Sequence, residues 1–166
     1  ARALELHLER VAVAPLFAHM LELYQAEADS RGVRLRGEAA AELALRADRD
    51  RLVQVLSNLL ANALRHSPAG GEVRLSAEAR AEGGRAGVLL HVSDTGPGIA
   101  PADLPHVFER FWRGDPARSR ETGGSGLGLA IVRSFVEAQG GTVRVESPWP
   151  AGGRAGTRFS VWLPAA

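Results

Sequence analysis

Hydrophobic positions recur with two periods along this chain, and the periods separate strands from helices. Val73, Leu75, Ala77 and Ala79 alternate with Glu72, Arg74, Ser76, Glu78 and Arg80, the period of two expected of a strand with one wet face. After a Glu82-Gly83-Gly84 turn, Val88 to Ser93 reads as the neighbouring strand. Leu52, Val55, Leu56, Leu59, Leu60 and Ala63 recur at intervals of three and four, which predicts a helix from an Asp48 N-cap to about His66. Ser67-Pro68-Ala69-Gly70-Gly71 ends it.

The flanks follow the same logic. Leu4 to Val11 partly alternates and predicts a strand, and Val13 to Asp29 carries Leu16, Met20 and Leu23 at helical spacing before Arg31-Gly32. Short strands are expected at Val33 to Leu35 and Leu43 to Leu45, separated by a polar turn, although the alanines of Glu38 to Glu42 also permit a helix. Gly126 to Gln139 predicts a helix with Leu129, Val132 and Val136 on one face, and Thr142 to Glu146 and Thr157 to Leu163 predict a closing pair of strands. Three longer helices among strands, without strict alternation, predict an α/β two-layer sandwich: a mixed, mostly antiparallel sheet of about five strands covered on one face.

Composition narrows the chemistry. At 166 residues, with 45% hydrophobic and 23% charged, the chain suits one globular domain. Its net charge of +1 gives no field directing it to nucleic acid or to an anionic membrane. All 20 basic residues are arginine and there is no cysteine, which excludes disulfides, thiolate metal sites and every phosphate site that needs a lysine. No apolar run reaches the roughly 20 residues that span a bilayer. The sequence opens at Ala1 without methionine, so a piece of a longer protein is expected.

Four segments carry candidate chemistry. Gln54, Asn58, Asn62 and His66 stand four apart and form one polar stripe along the central helix. Alone, the stripe reads first as a solvated helix face, but two asparagines inside a helix carry a propensity cost that a ligand role would explain, and amide oxygens suit Mg²⁺. Asp94-Thr95-Gly96-Pro97-Gly98 follows an apolar strand; alone it reads as an ordinary Asp-capped turn, while the carboxylate and glycines would also allow an amine acceptor beside a ligand. Gly123-Gly124-Ser125-Gly126-Leu127-Gly128-Leu129 leads into a helix, where free N–H groups form a phosphate site, the alternative being a flexible linker. Phe108, Phe111 and Trp112 share one side of a predicted short helix, as core or as the anchor of a lid with Arg113 at its tip. Neither glycine cluster fits the dinucleotide fingerprint.

Taken in order, Asn58-Leu59-Leu60-Ala61-Asn62-Ala63, Asp94-Thr95-Gly96-Pro97-Gly98, Phe108-Glu109-Arg110-Phe111-Trp112-Arg113 and Gly124-Ser125-Gly126-Leu127-Gly128-Leu129 resemble the N, G1, F and G2 boxes of the catalytic ATP-binding domain of bacterial sensor histidine kinases. Gly140 to Ser147 and Gly156 to Phe159 extend the resemblance over nearly the whole chain. It implies the fold shared with gyrase, heat-shock chaperones and mismatch-repair ATPases, with ATP and Mg²⁺ as cofactors. It implies that Asn62, with Asn58, ligates Mg²⁺, and that Asp94 accepts from the adenine amine. Gly96, Gly98 and Ile99 would shape the adenine pocket, Arg65 and His66 would contribute from the helix, and Gly124, Ser125, Gly126, Leu127 and Gly128 would cradle phosphates. Residues 97–124 would form the lid, and Arg113 would approach the γ-phosphate as a catalytic group together with Asn58.

Asn58 stands where the ATPases of this fold place a water-activating glutamate, so transfer to a protein histidine is expected over hydrolysis. Gln139 replaces a histidine common in the family, a change expected to matter little. None of His7, His19, His66, His91 or His106 sits in a phosphoacceptor context. The resemblance therefore implies that the partner is a phosphoacceptor and dimerisation domain upstream, with a response regulator downstream. It further implies a cytoplasmic domain of a parent anchored in the inner membrane, itself touching neither membrane nor nucleic acid. Rival readings are an anti-sigma-type serine kinase, disfavoured by the arginine-bearing F box, a nucleotide-sensing module without transfer, and a gyrase-like ATPase.

Overall fold

The computed structural model describes residues 5–110, 112, 128–153 and 155–166. Its elements run β1 (Leu8–Ala12), α1 (Val13–Arg31), β2 (Arg34–Gly37), β3 (Ala44–Asp48), α2 (Arg49–His66), β4 (Glu72–Ala79), β5 (Gly87–Asp94), α3 (Gly128–Ala138), β6 (Thr142–Glu146) and β7 (Thr157–Pro164). Five strands form one sheet in the order β2-β4-β5-β7-β6, and β1 and β3 form a separate antiparallel pair. All neighbours in the large sheet are antiparallel except β2 and β4, which run parallel with Leu35 opposite Val73.

One face of the sheet makes the core. Val73 and Leu75 of β4, Val88, Leu90 and Val92 of β5, and Phe159, Val161 and Leu163 of β7 pack with Leu52, Val55, Leu56, Leu59, Leu60, Ala63 and Leu64 of α2. Val132 and Val136 of α3 join the same cluster, as do Leu16, Phe17 and Met20 of α1. Helices on one face of a mostly antiparallel sheet are the two-layer sandwich that the periodicity predicts, because each apolar stripe has one sheet face to bury against.

The α2 N-terminus forms as its sequence predicts. The Asp48 carboxylate accepts from the Arg51 N–H at 3.1 Å and from the His7 N–H at 3.0 Å, which satisfies one of the orphan donors of the first turn. Those two donors also hold its pKa below the usual carboxylate range, against the opposing effect of burial.

The structure corrects two local expectations. The first strand runs over Leu8–Ala12 and belongs to the small sheet. Residues 38–43 form the expected polar turn, and the two strands it joins lie in different sheets. In the aromatic segment the only described helical turn is a 3₁₀ turn at Leu104–His106, and residues 107–110 are turns and bends. Pro105 stands in the first turn of that 3₁₀ element, where its missing N–H costs no helical hydrogen bond, and the element stops after three residues. Phe108 and Trp112 nevertheless pack on the core, and Phe108 meets Phe159 edge-to-face at 5.9 Å and 82°.

Candidate functional site

The polar stripe of α2 runs between two other segments. At its C-terminal end lies the turn after β5: a Cβ on Gly96 would stand 2.7 Å from the His66 carbonyl oxygen. Near its middle, the Asn58 Nδ2 donates to the Gly128 carbonyl at the start of α3 at 3.3 Å. Asn62 lies between these contacts, half-buried, and among the described residues its amide makes no hydrogen bond. Arg65 follows Asn62 by three and Asn58 by seven, so it shares the stripe. Its Nε is buried without a hydrogen-bond partner among the described residues. An unused amide and an orphaned cationic donor on one helix face are what a site for an anionic ligand with its metal requires.

Asp94 ends β5 with strands on both sides, Val73 opposite on β4 and Thr157 on β7. It is 6% exposed. Burial raises its pKa to about 6, opposed by the Gly96 N–H donating to Oδ1 at 2.9 Å. At neutral pH this carboxylate is charged and acceptor-only, so any further partner it takes must donate an N–H or O–H.

Gly98 adopts φ +85° and approaches the Ser147 hydroxyl so closely that a Cβ would lie 2.9 Å from Oγ. Ser147 Oγ accepts from the Ile99 N–H and donates to the Gly156 carbonyl, each at 2.8 Å. The Gly156 N–H in turn donates to the Gly96 carbonyl at 2.9 Å. This brace positions Gly96, Gly98 and Ile99, and sequence reasoning missed Ser147 and Gly156 as its members. A Ser-Pro pair after a strand reads only as a turn signal until its partners are known.

Of the expected site residues, the structure brings Asn58 to Gly128, and Gly96 to both Asp94 and the His66 carbonyl at the end of α2; Gly98 and Ile99 join the Ser147 brace, and Asn62 and Arg65 share the α2 stripe. Arg113, Gly124, Ser125, Gly126 and Leu127 lie outside the described residues, as do the lid residues 111 and 113–124.

Residues 47–166 match the family described as histidine kinase-, DNA gyrase B- and HSP90-like ATPase. Among curated proteins, the chain is 41% identical over 155 residues to the sensor-like histidine kinase SenX3 of Mycobacterium bovis, covering 93% of this chain and 36% of that one. It is 39% identical over 136 residues to the signal transduction histidine-protein kinase BaeS of Escherichia coli, covering 81% and 27%. The chain thus spans about a third of the length of the curated relatives it matches. The mycobacterial sensor histidine kinase MprB superposes with a TM-score of 0.78 at 31% identity, over 95% of this chain and 97% of that chain. Full-length ShkA, solved in complex with AMPPNP, gives 0.81 at 34% identity over 100% and 33%.

Proposed function

This chain belongs to the family of histidine kinase-, DNA gyrase B- and HSP90-like ATPases, and from that premise we propose that it binds Mg-ATP between α2 and α3 and serves transfer of the γ-phosphoryl group to a histidine. The acceptor histidine belongs to a separate helical phosphoacceptor and dimerisation domain of the parent kinase, with a response regulator downstream. The observation that supports this reading is that the polar stripe of α2 touches the start of α3 through Asn58 and Gly128 and the buried Asp94 turn through Gly96 and His66.

Each residue has a part. Asn62, with Asn58, supplies amide oxygens to the metal. The Asp94 carboxylate accepts from the adenine amine, and Gly96 and Gly98 leave room for the base. The segment ending at Gly128 presents backbone N–H groups to the phosphates where α3 begins. Residues 97–124 act as a lid, and Arg113 neutralises charge at the γ-phosphate. When bound, Mg-ATP supplies an electrophilic phosphoryl group whose charge the metal offsets. Asn58 has no basic lone pair with which to take a proton from water, which disfavours hydrolysis. Among the described residues no helix is long and apolar enough to cross a membrane, and we assign this domain to the cytoplasmic side of a membrane-anchored parent.

Calorimetric titration with ADP and a non-hydrolysable ATP analogue, with and without Mg²⁺, tests the binding. Saturable, Mg-sensitive binding that weakens about tenfold or more in Asn62→Ala is expected; no binding to folded protein rejects the site. Adding purified acceptor helices from a related kinase with ATP tests the transfer, and absence of phosphohistidine despite ATP binding rejects the kinase role.

A further inference from the structure

The sheet face turned away from the helices is not simply wet. Leu89, His91 and Ser93 of β5 alternate with the core residues Val88, Leu90 and Val92, and all are buried. Over this outer face lies a cavity of about 610 Å³, lined by Glu78, His91, Arg144, Trp149, Arg158 and Ser160 among others. That size is within the range of small-molecule sites, about 300–1,000 Å³. The sheet register explains the convergence: His91 pairs across the ladder with Ser160, Ser160 with Arg144, and Arg158 with Glu146.

His91 is 6% exposed. Ser160 Oγ lies 2.8 Å from its Nδ1, while Nε2 is buried with no hydrogen-bond partner among the described residues. The nearest carboxylate oxygen, Glu78 Oε1, is 3.9 Å from Nε2, beyond hydrogen-bond reach. An unmet buried donor or acceptor costs about 1–3 kcal/mol, so a ligand that meets it has a built-in advantage.

Arg158 stands beside it in a constrained pose. Its guanidinium carbon lies 3.7 Å from the centre of the Trp149 ring, and its Nε donates to Ser93 Oγ at 2.9 Å. Stacking and one hydrogen bond fix the plane of the fork and leave its terminal nitrogens to a planar acceptor. Other charges in the cavity are largely spent: Arg80 pairs with Glu78 at 3.0 Å and Arg144 with Glu82 at 2.7 Å. Glu146 and Glu78 bear on Arg158 electrostatically without forming an ion pair with it.

We propose that this cavity is a second binding site, for a small organic anion whose carboxylate or phosphate is held by the Arg158 fork and the Nε2–H of His91. The anion requires the tautomer in which Ser160 donates to Nδ1 and the His91 proton sits on Nε2. Trp149 and Leu89 supply the apolar wall for the rest of the ligand. The site lies on the sheet face opposite α2 and α3, away from the proposed nucleotide site.

The test follows the His91 ring nitrogens by NMR in the ¹⁵N-labelled chain, titrated separately with succinate and with inorganic phosphate at constant ionic strength. A saturable shift of His91 Nε2 with an apparent Kd of about 1 mM or tighter is expected for at least one probe. Which probe saturates identifies the carboxylate or the phosphate as the group recognised. Arg158→Gln should weaken that binding about tenfold or more, and Glu146→Gln, which removes a competing carboxylate, should tighten it about threefold. No saturation by either probe below about 10 mM, or the same affinity in both variants, overturns the proposal. The backbone amide spectrum reports that each variant is folded, and the gain expected of Glu146→Gln keeps the test decisive if Arg158→Gln does not fold.

Discussion

The Asp48 N–H donates to the Oε1 of Gln139 at 2.8 Å, joining the start of α2 to the end of α3 across 91 residues of sequence. The same side chain donates from Nε2 to the Phe135 carbonyl at 2.9 Å, and Gln139 is 6% exposed. One amide thus satisfies a backbone group at each of two helix ends, where orphan donors and acceptors accumulate.

Replacing Gln139 by Leu keeps the volume and removes both bonds. The buried Asp48 N–H and the Phe135 carbonyl lose their partner, and a loss of about 1–3 kcal/mol is expected in urea unfolding. The conservative expectation from sequence, that Gln139 in place of histidine matters little, holds only for residues able to accept and donate at once. A Gln139→Leu variant as stable as the parent would show that water replaces both bonds.

Asp94 gives a stability effect with a definite sign. Its folded pKa of about 6 lies above the ordinary value of 3.8, chiefly through burial, so the folded state binds the proton more tightly than the unfolded chain. The associated stability is fully present below pH 3.8 and is lost as pH rises through about 6. Asp94→Asn should therefore stabilise the domain at pH 8, by on the order of 1–3 kcal/mol, and have little effect at pH 4 in paired unfolding curves. In the same variant adenine-nucleotide affinity should fall, and in the parent it should weaken as pH drops below about 6.

Gly96 is held by a close approach rather than by its φ angle. A Cβ there would meet the His66 carbonyl oxygen at 2.7 Å and the Asp94 Oδ1 at 3.0 Å, so Gly96→Ala should push the turn off the C-terminal end of α2. A loss of about 1–3 kcal/mol is expected from overpacking, together with weaker nucleotide binding by calorimetry. Unchanged affinity would place the base away from this turn.

Phe108 anchors the segment after the Asp94 turn through its edge-to-face contact with Phe159. Phe108→Ala should cost about 1–2 kcal/mol, less than a fully buried Phe because the ring is half-exposed. Faster proteolysis within residues 97–124 is expected to accompany it, and an unchanged cleavage rate would separate this contact from lid anchoring.

Much of this domain was legible in its residues. The three-and-four spacing of Leu52 to Ala63, the Asp48 cap and the alternation of β4, β6 and β7 are local signals, because a helix or strand buries a face defined by near neighbours in sequence. The Asp94 and Gly96 turn and the asparagine stripe were legible for the same reason, as each is written within a few residues. Strand partnership was not. Short β2 and β3 have similar alternation, yet one joins β4 in parallel and the other pairs with β1; the choice depends on which edge each can cover once α2 is packed. The same holds for Gln139, for the Ser147 brace and for the outer cavity of His91 and Arg158. These rest on contacts spanning from 9 to 91 residues, and only the folded chain brings such groups together, since pairing at that range is set by burial and register that no local pattern encodes.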